Sequence, residues 1–179
     1  MITIDELKKL DGYAHYMGLG VIKYVFRKNR AYHFWSDLAP AIVEDIHEHR
    51  FGFTSKIIKG ELKNYIYDVP GQDPNSSLQV ERGECVPGAE RIIEVPNANV
   101  VEMCTFTTVA GKSYKIAYDT LHRVECLTPK VITLLDKKLP FQQENPRFIT
   151  DADNPSPCAF SQPKSDKECW EIIEYTLAE

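Results

Sequence analysis

The 179 residues contain no GxSxG, no glycine-rich phosphate loop and no GxGxxG after a strand-like run, so the usual serine-hydrolase and nucleotide-binding routes lack their anchor residues. No apolar run approaches the roughly 20 residues that a bilayer-crossing helix needs, which speaks against a membrane partner. The first residues, MITIDELKKLDG, carry no basic segment ahead of an apolar stretch, so a secretory signal is not expected and a cytoplasmic location is. Positive charge is the minority: 21 Lys and Arg stand among 26 Asp and Glu, giving a net charge of −5. Without a basic cluster, nucleic acid is excluded as the expected partner and a small molecule takes its place. Cysteine is sparse and unpaired in pattern. Five residues, odd in number, widely spaced and free of CxxC, suggest neither a disulfide framework nor a zinc ribbon, and are expected as reduced thiols in packing positions.

What the chain does have is short apolar runs. Thr3 stands three residues before Glu6, a capping-box spacing, and Leu7, Leu10, Ala14 and Met17 follow at helical intervals, so a helix is expected over 3–17. From Gly20 onward, segments rich in Val, Ile, Tyr, Phe and Thr alternate with Gly, Pro, Asn and Asp. Strands are expected near 20–27, 31–36, 41–49, 53–59, 62–69, 78–85, 91–95, 100–109, 112–118, 121–126 and 130–136. So many strands with so little between them leave no room for parallel crossovers, and a mainly β barrel or jelly roll remains. Lys59-Gly60 and Ala110-Gly111 read as hairpin turns, and 70–77 and 145–157 as surface loops. Ser165 and Glu168 form a second capping box ahead of Trp170, Ile173 and Leu177, so a closing helix is expected over 165–177. The whole, 1–179, reads as one domain with its barrel at about 20–141; the oligomeric state stays open.

Three of the five histidines fall in this strand region, in IHEH (46–49) and LHRVE (121–125). Alternation along a strand puts His47 and His49 on one face and Glu48 and Arg50 on the other. Two imidazoles so placed can share one metal, with His122 as third ligand from a neighbouring strand and an open face left for substrate. Imidazole suits Fe, Cu, Ni and Zn alike, so the spacing makes a site without naming its metal. Of the others, His15 is expected at the end of the first helix and His33 as a hydrogen-bonded barrel histidine beside Tyr32 and Trp35.

The stretch HEHRFGFTSKIIKGELKNYIYDV with TLHRVEC further on resembles the two metal-binding motifs of the cupin superfamily, and within it the thiol dioxygenases of cysteine dioxygenase type. The matching residues are His47, His49, Lys56, Ile57, Ile58, Gly60 and Leu121 to Glu125, over about 20–141. The resemblance implies a cupin jelly-roll barrel with mononuclear Fe(II) on His47, His49 and His122, Ni, Zn, Cu or Mn being the other metals considered. It further implies a small thiol such as cysteine, or a related chelating acid, and O2 as the reacting partners. An arginine gripping a substrate carboxylate is implied as well, for which Arg27 is the candidate and Arg30 the fallback. Tyr65, Tyr67, Tyr114 and Tyr118 are candidates to supply a hydroxyl, Tyr65 and Tyr118 first. The chain departs from the family at Phe53 and Thr54, where a cysteine would stand, and over Ile132 to Lys137, which holds no His or Tyr. A non-catalytic cupin that binds a ligand or metal as a sensor or carrier is the alternative.

Overall fold

Capping and alternation decide most of the elements. In a computed structural model, described over residues 2–17, 20–38, 45–84, 89–139, 142–154 and 164–178, the Thr3 and Ser165 capping boxes both form and open the two helices. These are α1 (Ile4–Lys8) and α2 (Asp166–Leu177). Between them lie β1 (Tyr13–Tyr16), β2 (Val21–Arg27), β3 (Arg30–Ser36), β4 (Phe53–Lys59), β5 (Glu61–Gln72), β6 (Leu78–Gly83), β7 (Arg91–Val95), β8 (Ala98–Val109), β9 (Ser113–Ile116), β10 (Leu121–Cys126), β11 (Lys130–Lys137) and β12 (Arg147–Asp151).

The fold is mainly β with a short helix near each end, as expected from the run of short strands. One sheet runs β1-β2-β3-β11-β4-β9; β10-β5-β8 and β12-β6-β7 form two three-stranded ladders. Among the described residues all strand pairs are antiparallel. The two ladders are joined through His47, which bridges His122 on β10 and Phe148 on β12. His47 and His122 exchange both backbone hydrogen bonds at 3.0 Å, Glu48 N–H donates to the Arg147 carbonyl and Ile149 N–H to the Ile46 carbonyl.

Alternation sorts the core into separate regions. Ile22, Tyr24, Phe34 and Ile132 on one face of the large sheet pack against Leu7 of α1 and Cys169, Ile172 and Ile173 of α2. The opposite face looks into the space between the sheets, where Ile57 and Val131 meet Leu62 of β5, and Phe53 and Leu135 meet Ile66. A third cluster, Val80, Ala98, Leu121 and Ile149, fills the curl of the second layer.

Several expectations change. The first helix ends at Lys8, and Tyr13–Tyr16 is a strand paired with β2. Asp11 takes a left-handed backbone (φ 49°), and a Cβ on Gly12 would meet the Tyr24 ring. The Tyr24 hydroxyl donates to the Leu7 carbonyl at 3.0 Å and accepts from Gly12 N–H at 2.9 Å, pinning the helix end to β2. His15 is therefore on a strand, opposite Lys23. Neither glycine turn closes a hairpin. Gly60 carries the chain from β4 in the large sheet to β5 in the other layer, and Gly111 carries it back from β8 to β9. Gly60 must be glycine there: its φ is +77°, and a Cβ would collide with the Lys130 carbonyl and the Thr128 hydroxyl. Within 145–157 the expected loop holds β12, paired with β6 and buried at Phe148, Ile149 and Thr150. The expected strand at 41–49 falls partly outside the described residues; over 45–49 it is reduced to the His47 bridge. Of the described cysteines, Cys169 is buried as expected, whereas Cys104 and Cys126 are exposed.

Candidate metal centre

His47 and His49 come from the bridging segment and His122 from β10, and the pairing of His47 with His122 brings the two stretches side by side. One ring nitrogen from each of the three lies within 4.8 Å of the others. Their ring centroids are 4.8 Å (His47 to His49), 5.0 Å (His47 to His122) and 5.2 Å (His49 to His122) apart.

The surroundings suit a cation held by neutral imidazoles. His122 is 3% exposed, and neither of its ring nitrogens has a hydrogen-bond partner among the described residues, an expensive state for a buried polar group unless something else occupies it. His47 Nδ1 lies 2.9 Å from the Asp45 carbonyl, which favours a proton on Nδ1 and leaves Nε2 as the donor atom. Burial, reinforced by the neighbouring imidazoles, holds His49 and His122 well below the ordinary histidine value, so both stay unprotonated with lone pairs available. Phe53 stacks edge-on to His49 at 5.1 Å and lies 5.9 Å from His122; Phe51 stacks on His49 at 5.3 Å and Phe148 on His47 at 6.4 Å. Of Phe53 and Thr54, the two positions where the resemblance would put a cysteine, Phe53 thus carries a ring that packs on two of the three histidines.

His49 also lines a cleft of about 110 Å³ with Glu48, Arg82, Tyr118, Gln142 and Arg147. Glu48, 6% exposed, accepts two hydrogen bonds from the Arg147 guanidinium and one from its backbone N–H, and this pair fixes the segment between the two imidazole-bearing residues. Arg147 was not singled out in the sequence, because nothing local pairs it with a residue 99 positions away.

The substrate candidates scatter. Tyr118, 45% exposed, shares the cleft with His49. Tyr65 lies on the face of β5 opposite to Asn64 and Ile66, where its hydroxyl donates to Glu125 and Arg123 stacks on its ring at 4.6 Å, so it is turned away from the histidines. Arg27 is exposed and sits opposite Arg30 at the β2–β3 turn. Arg30 pairs with Asp136 at 2.7 Å and shares the face of β3 that carries Tyr32 and Phe34 toward the helices. The fallback arginine therefore points away from the triad, since alternation outweighs proximity in sequence. His33, expected as hydrogen-bonded, has no partner at Nε2 among the described residues.

No protein-family model matches the chain, and no curated protein matches it. Among solved structures it is similar to hydroquinone 1,2-dioxygenase PnpCD in complex with Cd2+ and 4-hydroxybenzonitrile (12% identity, TM-score 0.39, 75% of this chain and 72% of that one). It is also similar to the hydroquinone 1,2-dioxygenase of Sphingomonas sp. TTNP3 with 4-hydroxybenzoate bound (11%, 0.33, 65% and 64%) and to an oxalate oxidase (15%, 0.30, 89% and 64%). At such identities and scores these likenesses decide nothing about chemistry, and the candidate centre stands on its own geometry.

Proposed function

We propose that this chain is a metal-dependent member of the cupin superfamily, acting as a single domain. It holds one divalent metal, Fe(II) ahead of Ni, Zn, Cu or Mn, on His47, His49 and His122, and uses it with O2 to oxidise a small thiol or a related chelating acid. The observation that carries the reading is the convergence of three imidazoles within 4.8 Å, one of them buried with both nitrogens unpartnered. When bound, the metal supplies Lewis acidity and, as iron, access to O2 chemistry.

The residues of the chain supply the rest. The Asp45 carbonyl orients His47, and burial keeps His49 and His122 neutral, so that three lone pairs face one point. Phe51 and Phe53 exclude water from the side of His49 that faces the barrel interior. Substrate enters through the cleft beside His49, where Tyr118, one of the lining residues, offers a hydroxyl for a hydrogen bond. A sensor or carrier without turnover is the second reading, favoured by the lack of His and Tyr on β11, the strand where the related enzymes carry them.

Elemental analysis of protein produced with iron, followed by an oxygen-electrode screen of small thiols and small chelating acids, tests both. The expected result is roughly one iron per chain with O2 uptake, both lost in a folded His122→Ala variant. Iron with ligand-dependent stabilisation and no uptake supports the carrier. Protein that retains no metal, and consumes no O2 when any is supplied, overturns the oxygenase; if no thiol or acid of the screen stabilises it either, the carrier falls as well.

A further inference from the structure

A second cluster lies on the inner face of the large sheet. His15 is paired with Lys23, Lys23 with His33, and His33 with Thr133, so three basic side chains form a continuous row across β1, β2 and β3 and end on β11. Directly opposed residues share a face, and this face is the one that carries Trp35, Val131 and Leu135 toward the second layer. Lys137 joins the row from β11, two alternations beyond Thr133, and its ammonium donates to the Lys23 nitrogen when that nitrogen is a neutral amine.

The row is contiguous with the candidate metal centre. Phe51 links them: its ring stacks on His49 at 5.3 Å and carries Lys137 Nζ 4.5 Å above it.

Among the described residues none of these four bases is paired with a carboxylate, and His15 Nδ1 and His33 Nε2 are buried without partners. Burial and mutual repulsion bring Lys23 down to about 8 and His33 to about 3, with Lys137 and His15 lowered as well. A chain that elsewhere pairs Arg30, Arg82, Arg91 and Arg147 with acids leaves Lys23 and Lys137 without a counter-charge among the described residues. Such a cost persists in a fold where something else supplies the missing charge.

We propose that His15, Lys23, His33 and Lys137 form an anion subsite inside the barrel that receives a carboxylate of the substrate while another donor atom of the same molecule reaches the metal centre. This rests on the metal reading above and narrows the substrate to a small organic acid. The apolar side chains of the same face, Trp35, Val131 and Leu135, suit a carboxylate carried on a hydrocarbon body better than a strongly hydrated phosphate dianion. The guanidinium grip expected of Arg27 is replaced by two ammonium groups, from β2 and β11 on either side of β3.

The test is calorimetric titration of benzoate and of inorganic phosphate into the full-length protein, with and without Fe(II), for the wild type, Lys23→Met, Lys137→Met and His122→Ala. The expected result is one benzoate per chain in metal-free and metal-loaded wild type, weakened tenfold or more in both lysine variants, with phosphate weaker than benzoate. Iron content is expected to stay unchanged in the lysine variants, and benzoate binding to survive in His122→Ala. Metal uptake without benzoate binding overturns the subsite and leaves the metal reading intact; benzoate binding without metal uptake does the reverse. Benzoate binding that is unaffected in Lys23→Met and Lys137→Met, or tighter binding of phosphate, also overturns the inference. Retained folding of the lysine variants is read from their thermal unfolding, which is expected to move upward.

Discussion

Replacing Lys23 by methionine should make the protein more stable. The lysine lies on the inner face of β2 between His15 and His33, with Lys137 beside it, and its ammonium is brought from 10.5 down to about 8, chiefly by burial. A depression of that size costs the folded state about 3 kcal/mol when the lysine is charged in both folded and unfolded chains. Allowing for residual solvent contact, roughly 2–3 kcal/mol should return in Lys23→Met, whose side chain fills much the same volume. For a chain of this size that is a rise in Tm of roughly 4–10 °C.

The pH dependence gives the sharper check. Because the folded value is depressed, the penalty is complete below about 8, declines as pH rises, and vanishes above the unfolded value of 10.5. The gain of Lys23→Met over wild type, read by urea denaturation, should therefore be full at pH 7 and shrink by most of its size at pH 10. A variant no more stable than wild type at pH 7, or one with an equal gain at both pH values, would refute the placement of a charged lysine in this interior.

His33, brought down to about 3 by burial, should make stability fall on acidification: above 6.5 it is neutral in both states, and between 6.5 and 3 only the unfolded chain takes the proton. Between pH 7.5 and 5 this amounts to about 2 kcal/mol from one histidine, and a His33→Asn variant should show a shallower decline in urea midpoints over that range. Gly60→Ala should cost at least about 1–2 kcal/mol from the left-handed backbone alone, with more from the collision at Lys130, seen as a lowered denaturation midpoint. Arg147→Leu leaves Glu48 buried without its partner and should cost about 2–3 kcal/mol, whereas the double variant Glu48→Leu/Arg147→Leu should be more stable than that single one; an additive double-mutant cycle would contradict the pairing.

Much of the architecture is written locally. The capping boxes at Thr3 and Ser165 and the strand runs expected at 53–59, 91–95 and 121–126 are read from neighbours in sequence, and those three strands begin and end at the expected residues. Strand alternation in IHEH placed His47 and His49 as a pair, and the apolar setting of His122 nominated it as third. What went astray depended on partners far along the chain. Tyr13–Tyr16 has a helical pattern until β2 offers it a ladder, and Phe148 to Thr150 sits in a polar stretch until β6 does. Gly60 and Gly111 mark turns of the correct sharpness, but only the packing of two layers decides that each crosses between sheets.

The basic row illustrates the division most plainly. His15, Lys23, His33 and Lys137 are spread over 123 positions with ordinary local surroundings, and the sequence assigned His15 to a helix and left both lysines unremarked. Strand register set three of them side by side, and burial changed their ionisation. Sequence by itself determined a mainly β chain and a trio of histidines capable of sharing a metal, because period and residue chemistry are local properties. Tertiary structure alone decided which cations face the interior and which find a carboxylate, because register and desolvation exist only once distant strands have paired.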